Sequence, residues 1–563
     1  MKKYQRPIRK IPTVRAPLGL RTIPALLEAS VERFKDSPAY IASSKGTLSI
    51  LSFREAFERV TRLSRHLKEL GFGKGDRIAI LGENSPNWAL SFFAVSWLGA
   101  TTVPLDARAN LDALRAFLDF SGASCLIYSH SFHDASEALQ RNIPKLKLVL
   151  PMDEIEGIRT QYSSGTPMGD VKEDDIAEIL FTSGSTGEPK GVMLSHGNIM
   201  SNVDDIYQIL DVTTEDRAFS ILPMHHAYES TAGMISPFAS GMSVYYARSL
   251  KPREMLEDLR IAKPTIWLST PLILEKLLKR INSEIDGARG IKGALFRHLP
   301  RKLLSKSIRK HLGLERIRLI VSGGAALSPA VSHGLEKLGL PIIQGYGLTE
   351  TAPLVTVNPP SRPINESVGM VIPSTEVEIR DIDSDGNGEI VVRGPNVMKG
   401  YYENPKATSE VITKDGWLLT GDVGYFDEEG YLYITGRKKF VIVTPGGKNI
   451  YPEEIEEVLC RSPYVSEALV ISQDGRTLQA IIYPDFNETK AKLSSIGLAD
   501  DDELLWKLIE EEVRRANRSL EPYKRVHRFA IRREEFPKTT SQKIRRHLFS
   551  NLSISPMTRF LDG

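Results

Sequence analysis

The chain reads as an α/β protein of several domains, and three observations lead there. Its 563 residues exceed what one hydrophobic core holds. Its first 170 residues alternate helical and strand-like apolar patterns, the mark of an α/β layer architecture. From residue 376 the pattern turns to short alternating strands with Gly/Asp turns, which suggests a small barrel or curled sheet. Hydrophobic content of 41% and charged content of 25% are ordinary for a soluble globular protein. A net charge of +3 gives no electrostatic case for nucleic acid. Cys125 and Cys460 stand far apart, so neither a disulfide framework nor a C-x-x-C zinc site follows, and a reducing, cytoplasmic compartment is expected. No apolar run approaches the roughly 20 residues that span a bilayer.

Taken in order, residues 1–24 form a basic arm (Lys2, Lys3, Arg6, Arg9, Lys10, Arg15) without a secretory apolar core. It reads as a solvated arm, with membrane-surface contact as the alternative. Phe53 to Leu70 is helical, Arg77 to Leu81 a buried-type strand, Trp88 to Leu98 a helix and Thr101 to Asp106 a strand. No dinucleotide G-x-G-x-x-G follows any of these strands. The strand-like run Ile176 to Phe181 leads into Thr182-Ser183-Gly184-Ser185-Thr186-Gly187-Glu188-Pro189-Lys190-Gly191, and a helix follows from about Gly197 to Leu210. Glycines let backbone N–H groups approach an anion, the hydroxyls add donors, and Lys190 adds positive charge. That is a chemistry for triphosphate. The common G-x-x-x-x-G-K-[ST] spacing is absent, because Pro189 stands where it needs glycine. Alone, such a loop is more often a surface connection.

Downstream, His225 and His226 interrupt a strand pattern without a third ligand at zinc spacing, so a packed loop histidine competes with a site histidine. Residues 275–318 interleave basic residues with leucines. A solvated helical face and a membrane-surface element, here 289–318, are the two readings. Two strands then end in glycine: Arg318 to Ser322 before Gly323-Gly324-Ala325, and Leu340 to Gln344 before Gly345-Tyr346-Gly347-Leu348-Thr349-Glu350. Paired strand ends of this kind let a flat ligand lie on the backbone. Tyr346 offers a face for a purine, Thr349 a phosphate donor, and Glu350 a carboxylate for magnesium.

These segments together resemble the AMP-forming acyl-CoA synthetases of the adenylate-forming superfamily, most closely bacterial-type medium/long-chain fatty acid–CoA ligases. Residues 182–191 match [ST]-S-G-[ST]-T-G-x-P-K-G, and 346–350 match Y-G-x-T-E. Thr420-Gly421-Asp422 matches T-G-D, and Pro537 to Ile544 matches P-[KR]-T-x-[ST]-G-K-[IL] except that Gln542 replaces glycine. The resemblance spans about residues 25–546. It implies a large N-terminal domain (25–437) of two α/β subdomains plus a small β-barrel, then a mobile α+β C-terminal domain (438–563).

The resemblance also implies roles. Thr182, Ser183, Gly184, Ser185, Thr186, Gly187 and Lys190 would cradle the phosphates of ATP. Gly324, Ala325, Tyr346 and Gly347 would border the nucleotide, Asp422 would accept the ribose hydroxyls, and Arg437 would contact ribose and phosphate. Glu350, with Thr186 assisting, would hold Mg2+, and His226 would stand beside the reacting carboxylate. Lys439 falls at the hinge, next to an unusual Phe440. Gly446 and Gly447 would form the channel for the pantetheine arm of coenzyme A. Lys543 and Thr349 would serve the adenylation step. The implied reaction is ATP-dependent activation of a fatty acid to acyl-AMP, then thioester formation with CoA. The alternatives are an acyl-AMP ligase loading a carrier protein and a nucleotide-binding sensor without catalysis. Acyl specificity and oligomeric state are not legible here.

Overall fold

The computed structural model describes residues 8–44, 47–158, 169–183, 189–286, 301–445, 448–495, 502–538, 544–549 and 559–560. They divide into two compact units. The first is Met1–Val377 with Val392–Leu418 and Glu428–Tyr431; the second is Glu378–Val391 and Leu419–Asp427 with Leu432–Gly563.

The first unit carries two sheets. Strands β1 (Pro38–Ser44) and β2 (Thr47–Ser52) pair as an antiparallel hairpin at the edge of the larger one. The next six strands are β3 (Arg77–Leu81), β4 (Thr101–Pro104), β5 (Cys125–Tyr128), β6 (Leu148–Pro151), β7 (Ile176–Ser183) and β8 (Pro189–Ser195). With β18 (Gly400–Tyr401) they build a seven-stranded sheet ordered β18-β8-β7-β4-β3-β5-β6. The chain meanwhile returns to the larger sheet through β9 (Arg217–Ser220), β10 (Ser243–Tyr246), β11 (Ile266–Ser269), β12 (Leu319–Ser322), β13 (Ile342–Gly347), β14 (Leu354–Val357) and β15 (Gly369–Val371). Its order within this unit is β15-β14-β13-β12-β11-β9-β10-β1-β2.

The sequence explains these elements locally. β3, Arg-Ile-Ala-Ile-Leu, is buried from Ile78 onward because parallel neighbours flank it on both sides. Helix Pro86–Leu98 starts on Ser85, whose Oγ accepts from the Trp88 N–H at 3.2 Å, and it stops at left-handed Gly99. It lies two residues longer at its start than the apolar pattern alone predicts. Every residue from Trp88 to Leu98 is buried, so the helix is a core element rather than a surface one. Helix His196–Ile209 opens with a reciprocal cap: Asn198 N–H donates to Ser195 Oγ, and Ser195 N–H donates to Asn198 Oδ1.

In the second unit, β16 (Glu376–Arg380, from Glu378), β17 (Gly388–Arg393, to Val391), β19 (Leu418–Phe426, from Leu419) and β20 (Tyr431–Arg437, from Leu432) lie in that order. A hairpin of β21 (Ile442–Val443) and β22 (Asn449–Ile450) follows. The remaining sheet is β23 (Val465–Ile471), β24 (Gln479–Pro484), β25 (Arg528–Ile531) and β26 (Arg559–Phe560). Its apolar face packs on helices Pro452–Cys460 and Asp502–Arg518 through Ile455, Leu459, Val470, Ile482, Ile509, Val513 and Phe529. Among the described residues no helix is long and apolar enough to cross a membrane. Helices Pro271–Asp286 and Arg301–Leu312 cover part of the basic stretch, and residues 289–300 of it lie outside the described residues.

Candidate active site

The predicted phosphate loop joins β7 to β8, which pair antiparallel with Thr182 opposite Lys190 and Ser183 opposite Pro189. The loop's base is therefore a closed hairpin; Gly184, Ser185, Thr186 and Gly187 lie outside the described residues. On its other side β8 pairs with β18, Val192 opposite Tyr401, and Tyr402 N–H donates to Gly191 O at 2.7 Å. Gly191 makes that approach possible. A Cβ there would meet Ile179 Cγ2 at 3.0 Å and Tyr402 Cβ at 3.3 Å. The glycine that closes the motif thus serves clearance between neighbouring strands.

Lys190 reaches across this pairing. Its Nζ lies 4.8 Å from the ring centroid of Tyr401, within cation–π range. The Tyr401 hydroxyl donates to Glu350 Oε1 at 2.9 Å. Met398 N–H donates to the Glu350 main-chain oxygen at 2.9 Å, which fixes the short turn Thr349–Thr351 that carries the carboxylate. Burial, and next the Glu350 carboxylate, push the Tyr401 hydroxyl's pKa far up, so it stays a donor. The hydrogen bond from Tyr401 engages Oε1, one of the two carboxylate oxygens of Glu350. An anionic oxygen of this kind on a partly exposed turn suits Mg2+, which takes hard oxygen ligands.

The strand ends beside it behave as the glycines require. Gly347 pairs with Leu354 so closely that a Cβ would fall 1.8 Å from Pro353 O. Gly323 leaves room for the Tyr228 ring, 3.0 Å from where its Cβ would stand, and Tyr228 donates to Val321 O at 2.9 Å. Gly324 has φ +84 and is exposed, as is Ala325, while Tyr346 is half-buried opposite Thr356. Gly324, Ala325, Tyr346, Gly347, Thr349 and Glu350 accordingly lie on two parallel neighbours, β12 and β13, and the segments that leave them.

The two histidines are not equivalent. Their rings stack obliquely with centroids 4.2 Å apart, and His225 Nε2 is 3.6 Å from Asp106 Oδ1. Burial lowers the pKa of both, that of His225 to about 3, so the pair is neutral at neutral pH. Asn84 holds the segment in front of them, donating to Leu222 O at 2.6 Å and accepting from Met224 N–H at 3.3 Å. Behind them begins a π-helical segment, Tyr228–Ile235. There Glu229 is wholly buried and accepts from Ser220 Oγ. Gly233 makes space for its carboxyl, since a Cβ would sit 2.6 Å from Glu229 Cδ.

In the second unit the T-G-D motif has a local explanation. Thr420 Oγ1 donates to Ile390 O at 2.7 Å and accepts from Asp422 N–H at 3.0 Å, while Gly421 takes φ +70. Asp422 Oδ1 lies 2.7 Å from Arg437 Nε. Lys438 Nζ binds Glu389 Oε2 at 2.6 Å and Asp381 Oδ2 at 3.1 Å, and Glu389 Oε1 accepts from Gly421 N–H. Lys439, at the expected hinge, is exposed, with its Nζ 4.7 Å from the Phe440 ring. Gly446, Gly447, Gln542 and Lys543 lie outside the described residues. The chain on either side of the last two is paired, Lys538 with Ile544, and Arg545 N–H donates to Pro537 O at 2.9 Å.

The structure thus brings Lys190 and Glu350 to one side chain, and Asp422 to Arg437. Tyr401, Asn84, Asp106 and Glu389 escaped sequence reasoning because their roles depend on pairings between distant segments. The Gly-Tyr at 400–401 beyond the β17 strand pattern was the one signal at hand for Tyr401.

Comparison with known proteins gives a consistent result. The AMP-binding enzyme family model matches residues 27–402, and the model of the AMP-binding enzyme C-terminal domain matches 439–552. A long-chain-fatty-acid–CoA ligase of Bacillus subtilis (strain 168) is 29% identical, covering 94% of each chain. A feruloyl-CoA synthase of an Amycolatopsis species is 32% identical over 81% of this chain and 87% of its own. Among solved structures, the o-succinylbenzoate CoA synthetase MenE of Bacillus subtilis with its acyl-adenylate intermediate aligns with a TM-score of 0.73 at 25% identity. That alignment covers 94% of this chain and 98% of MenE. The same protein with ATP and a magnesium ion aligns with a TM-score of 0.71 at 25% identity, over 93% and 98% of the two chains.

Proposed function

The chain belongs to the AMP-binding enzyme family as an AMP-forming acid–thiol ligase, and we propose that it converts a medium- or long-chain fatty acid to its CoA thioester. The observation that carries the chemistry is the convergence of Lys190 and Glu350 on Tyr401, a cation and a carboxylate at the mouth of one hairpin. Support for the acid comes from ligases named for long-chain fatty acids that match along more than nine-tenths of both chains.

A carboxylate is a poor acyl donor because its leaving group would be oxide. One of its oxygens attacks the α-phosphorus of ATP, the bond to the bridging oxygen breaks, and pyrophosphate leaves with the electron pair. The acyl group now carries AMP, a competent leaving group, and a thiol displaces it. Lys190 offsets phosphate charge, and Thr349 donates to the phosphate. Neutral His226 stands beside the carboxylate without pairing with it as a cation would. Glu350, with Thr186, would hold Mg2+, which supplies charge neutralisation on the phosphates. Asp422 accepts from the ribose hydroxyls, Arg437 holds Asp422 and contacts ribose and phosphate, Gly446 and Gly447 admit the pantetheine thiol, and the chain pivots at Lys439 between domains 25–437 and 438–563. The chain acts inside the cell, with the basic stretch 289–318 as a solvated face or, alternatively, a membrane-surface element.

A pyrophosphate-release assay with acids from octanoate to stearate, ferulate and o-succinylbenzoate tests the reading. Release with the fatty acids, and CoA-dependent thioester formation, are expected. Turnover of ferulate or o-succinylbenzoate in preference to every fatty acid would overturn the acid assignment. Adenylate formation without transfer to CoA would overturn the acceptor.

A further inference from the structure

Tyr401 touches both charged groups of the proposed phosphate site. Its hydroxyl donates to Glu350 Oε1 at 2.9 Å and its ring lies 4.8 Å from Lys190 Nζ. It is 7% exposed, and its main chain is held in turn: it pairs with Val192 of β8, and its N–H donates to Thr408 Oγ1 at 2.9 Å. A side chain gripped this firmly presents both its edge and its face in fixed directions.

We propose that Tyr401 is a positioning residue that keeps the Glu350 carboxylate and the Lys190 ammonium apart and aimed at different parts of a metal–triphosphate ligand. The physical reason lies in what the two charges would otherwise do. They are of opposite sign, and both contact the same tyrosine. Without the ring, attraction draws them into a mutual ion pair, which neutralises the carboxylate that would take a cation and the cation that would take a phosphate. With the ring in place, the ammonium rests on a π-face that leaves its N–H groups free to turn outward. The hydroxyl engages Oε1 of Glu350, so that a metal would be taken by the other oxygen. The inference rests on the ATP reading of the site and adds a residue that no motif of the sequence names.

The experiment compares the affinity of the full chain for a nonhydrolysable ATP analogue, by calorimetry, with and without Mg2+. The ratio of the two dissociation constants is the gain in affinity contributed by the metal. Tyr401→Phe keeps the ring and loses the hydroxyl. It should cut that gain about tenfold, the size of one hydrogen bond to a charged group, while metal-free affinity stays within about twofold. Tyr401→Leu should in addition weaken metal-free binding by about three- to tenfold, as loss of a cation–π contact does. A parental metal gain in Tyr401→Phe would overturn the proposal. So would a metal-free loss in Tyr401→Phe equal to that in Tyr401→Leu, since it would mean that the variants merely loosen the fold. If Tyr401→Leu fails to fold, Tyr401→Phe decides alone. A parent chain that binds the analogue under neither condition would instead sink the ATP reading itself.

Discussion

Asp422 and Arg437 stand directly opposite each other across the antiparallel β19–β20 pair, with Asp422 Oδ1 2.7 Å from Arg437 Nε. Asp422 is 5% exposed, so its carboxylate is oriented before any ligand arrives. If it accepts ribose hydroxyls, Asp422→Ala weakens ATP binding by about 1.5–3 kcal/mol, the scale of hydrogen bonds to a charged group. Arg437→Met should cost less, and the double variant should lose less than the sum, because the arginine acts partly through the aspartate. An ATP dissociation constant unchanged in Asp422→Ala removes the residue from the nucleotide site.

The role proposed for Lys543 predicts different outcomes in the two half-reactions. Removing one preorganised donor at a transferring phosphate costs about 10²–10³ in rate. Lys543→Ala should therefore cripple acyl-adenylate formation and spare thioester formation from supplied acyl-adenylate. Lys538 makes a good control, since it is bound to Glu467 at the base of the same loop. Lys538→Ala should change adenylation by less than tenfold. Equal loss in both half-reactions for Lys543→Ala argues against separate roles for the C-terminal domain in the two steps.

Glu178, on the strand that leads into the phosphate loop, is fully buried opposite Thr102. Both of its carboxyl oxygens and Thr102 Oγ1 lack hydrogen-bond partners among the described residues. Burial raises its pKa to about 8. The sign follows from linkage. Below the unfolded value near 4.5 both states hold the proton; above it the unfolded chain releases the proton while the fold retains it. Stability therefore falls as pH rises through the window up to about 8, by on the order of 5 kcal/mol for this group. Glu178→Gln should remove that contribution to the slope, read as urea midpoints at pH values across the window. A slope identical to the parent's would mean that the carboxyl is ionised in the fold.

The basic stretch tests the membrane reading. Replacing Arg301, Lys302, Arg309 and Lys310 by glutamine should reduce partitioning onto anionic vesicles. The expected loss is on the order of 1 kcal/mol for each group that lies near the surface. Arg309 is the informative member, because its guanidinium also donates to Leu314 O, Glu315 O and Ile317 O. Its replacement alone should loosen the helix end more than it loosens vesicle binding. Equal partitioning of parent and fourfold variant leaves a solvated helical face.

By itself the sequence determined whatever depends on near neighbours along the chain. The apolar run Arg77 to Leu81 located β3 to the residue, since a short strand's character lies in its own side chains. Motif spacing identified the family, because the phosphate loop, Y-G-x-T-E and T-G-D are each contiguous. Edges were less legible. Gly345-Tyr346-Gly347 reads as the end of a strand, yet it belongs to β13, because pairing with β14 continues the ladder through it. Tertiary structure alone decided which distant residues share a charge. Tyr401 and Glu350 are 51 positions apart and meet because β18 is added to the edge of the phosphate-loop hairpin. Glu178, a charged residue within the apolar run Ile176 to Phe181, is enclosed where β7 pairs with β4 inside the seven-stranded sheet. Composition carries no trace of such pairings. They are set by the order in which strands assemble, and that order brings a carboxylate and an ammonium to one tyrosine.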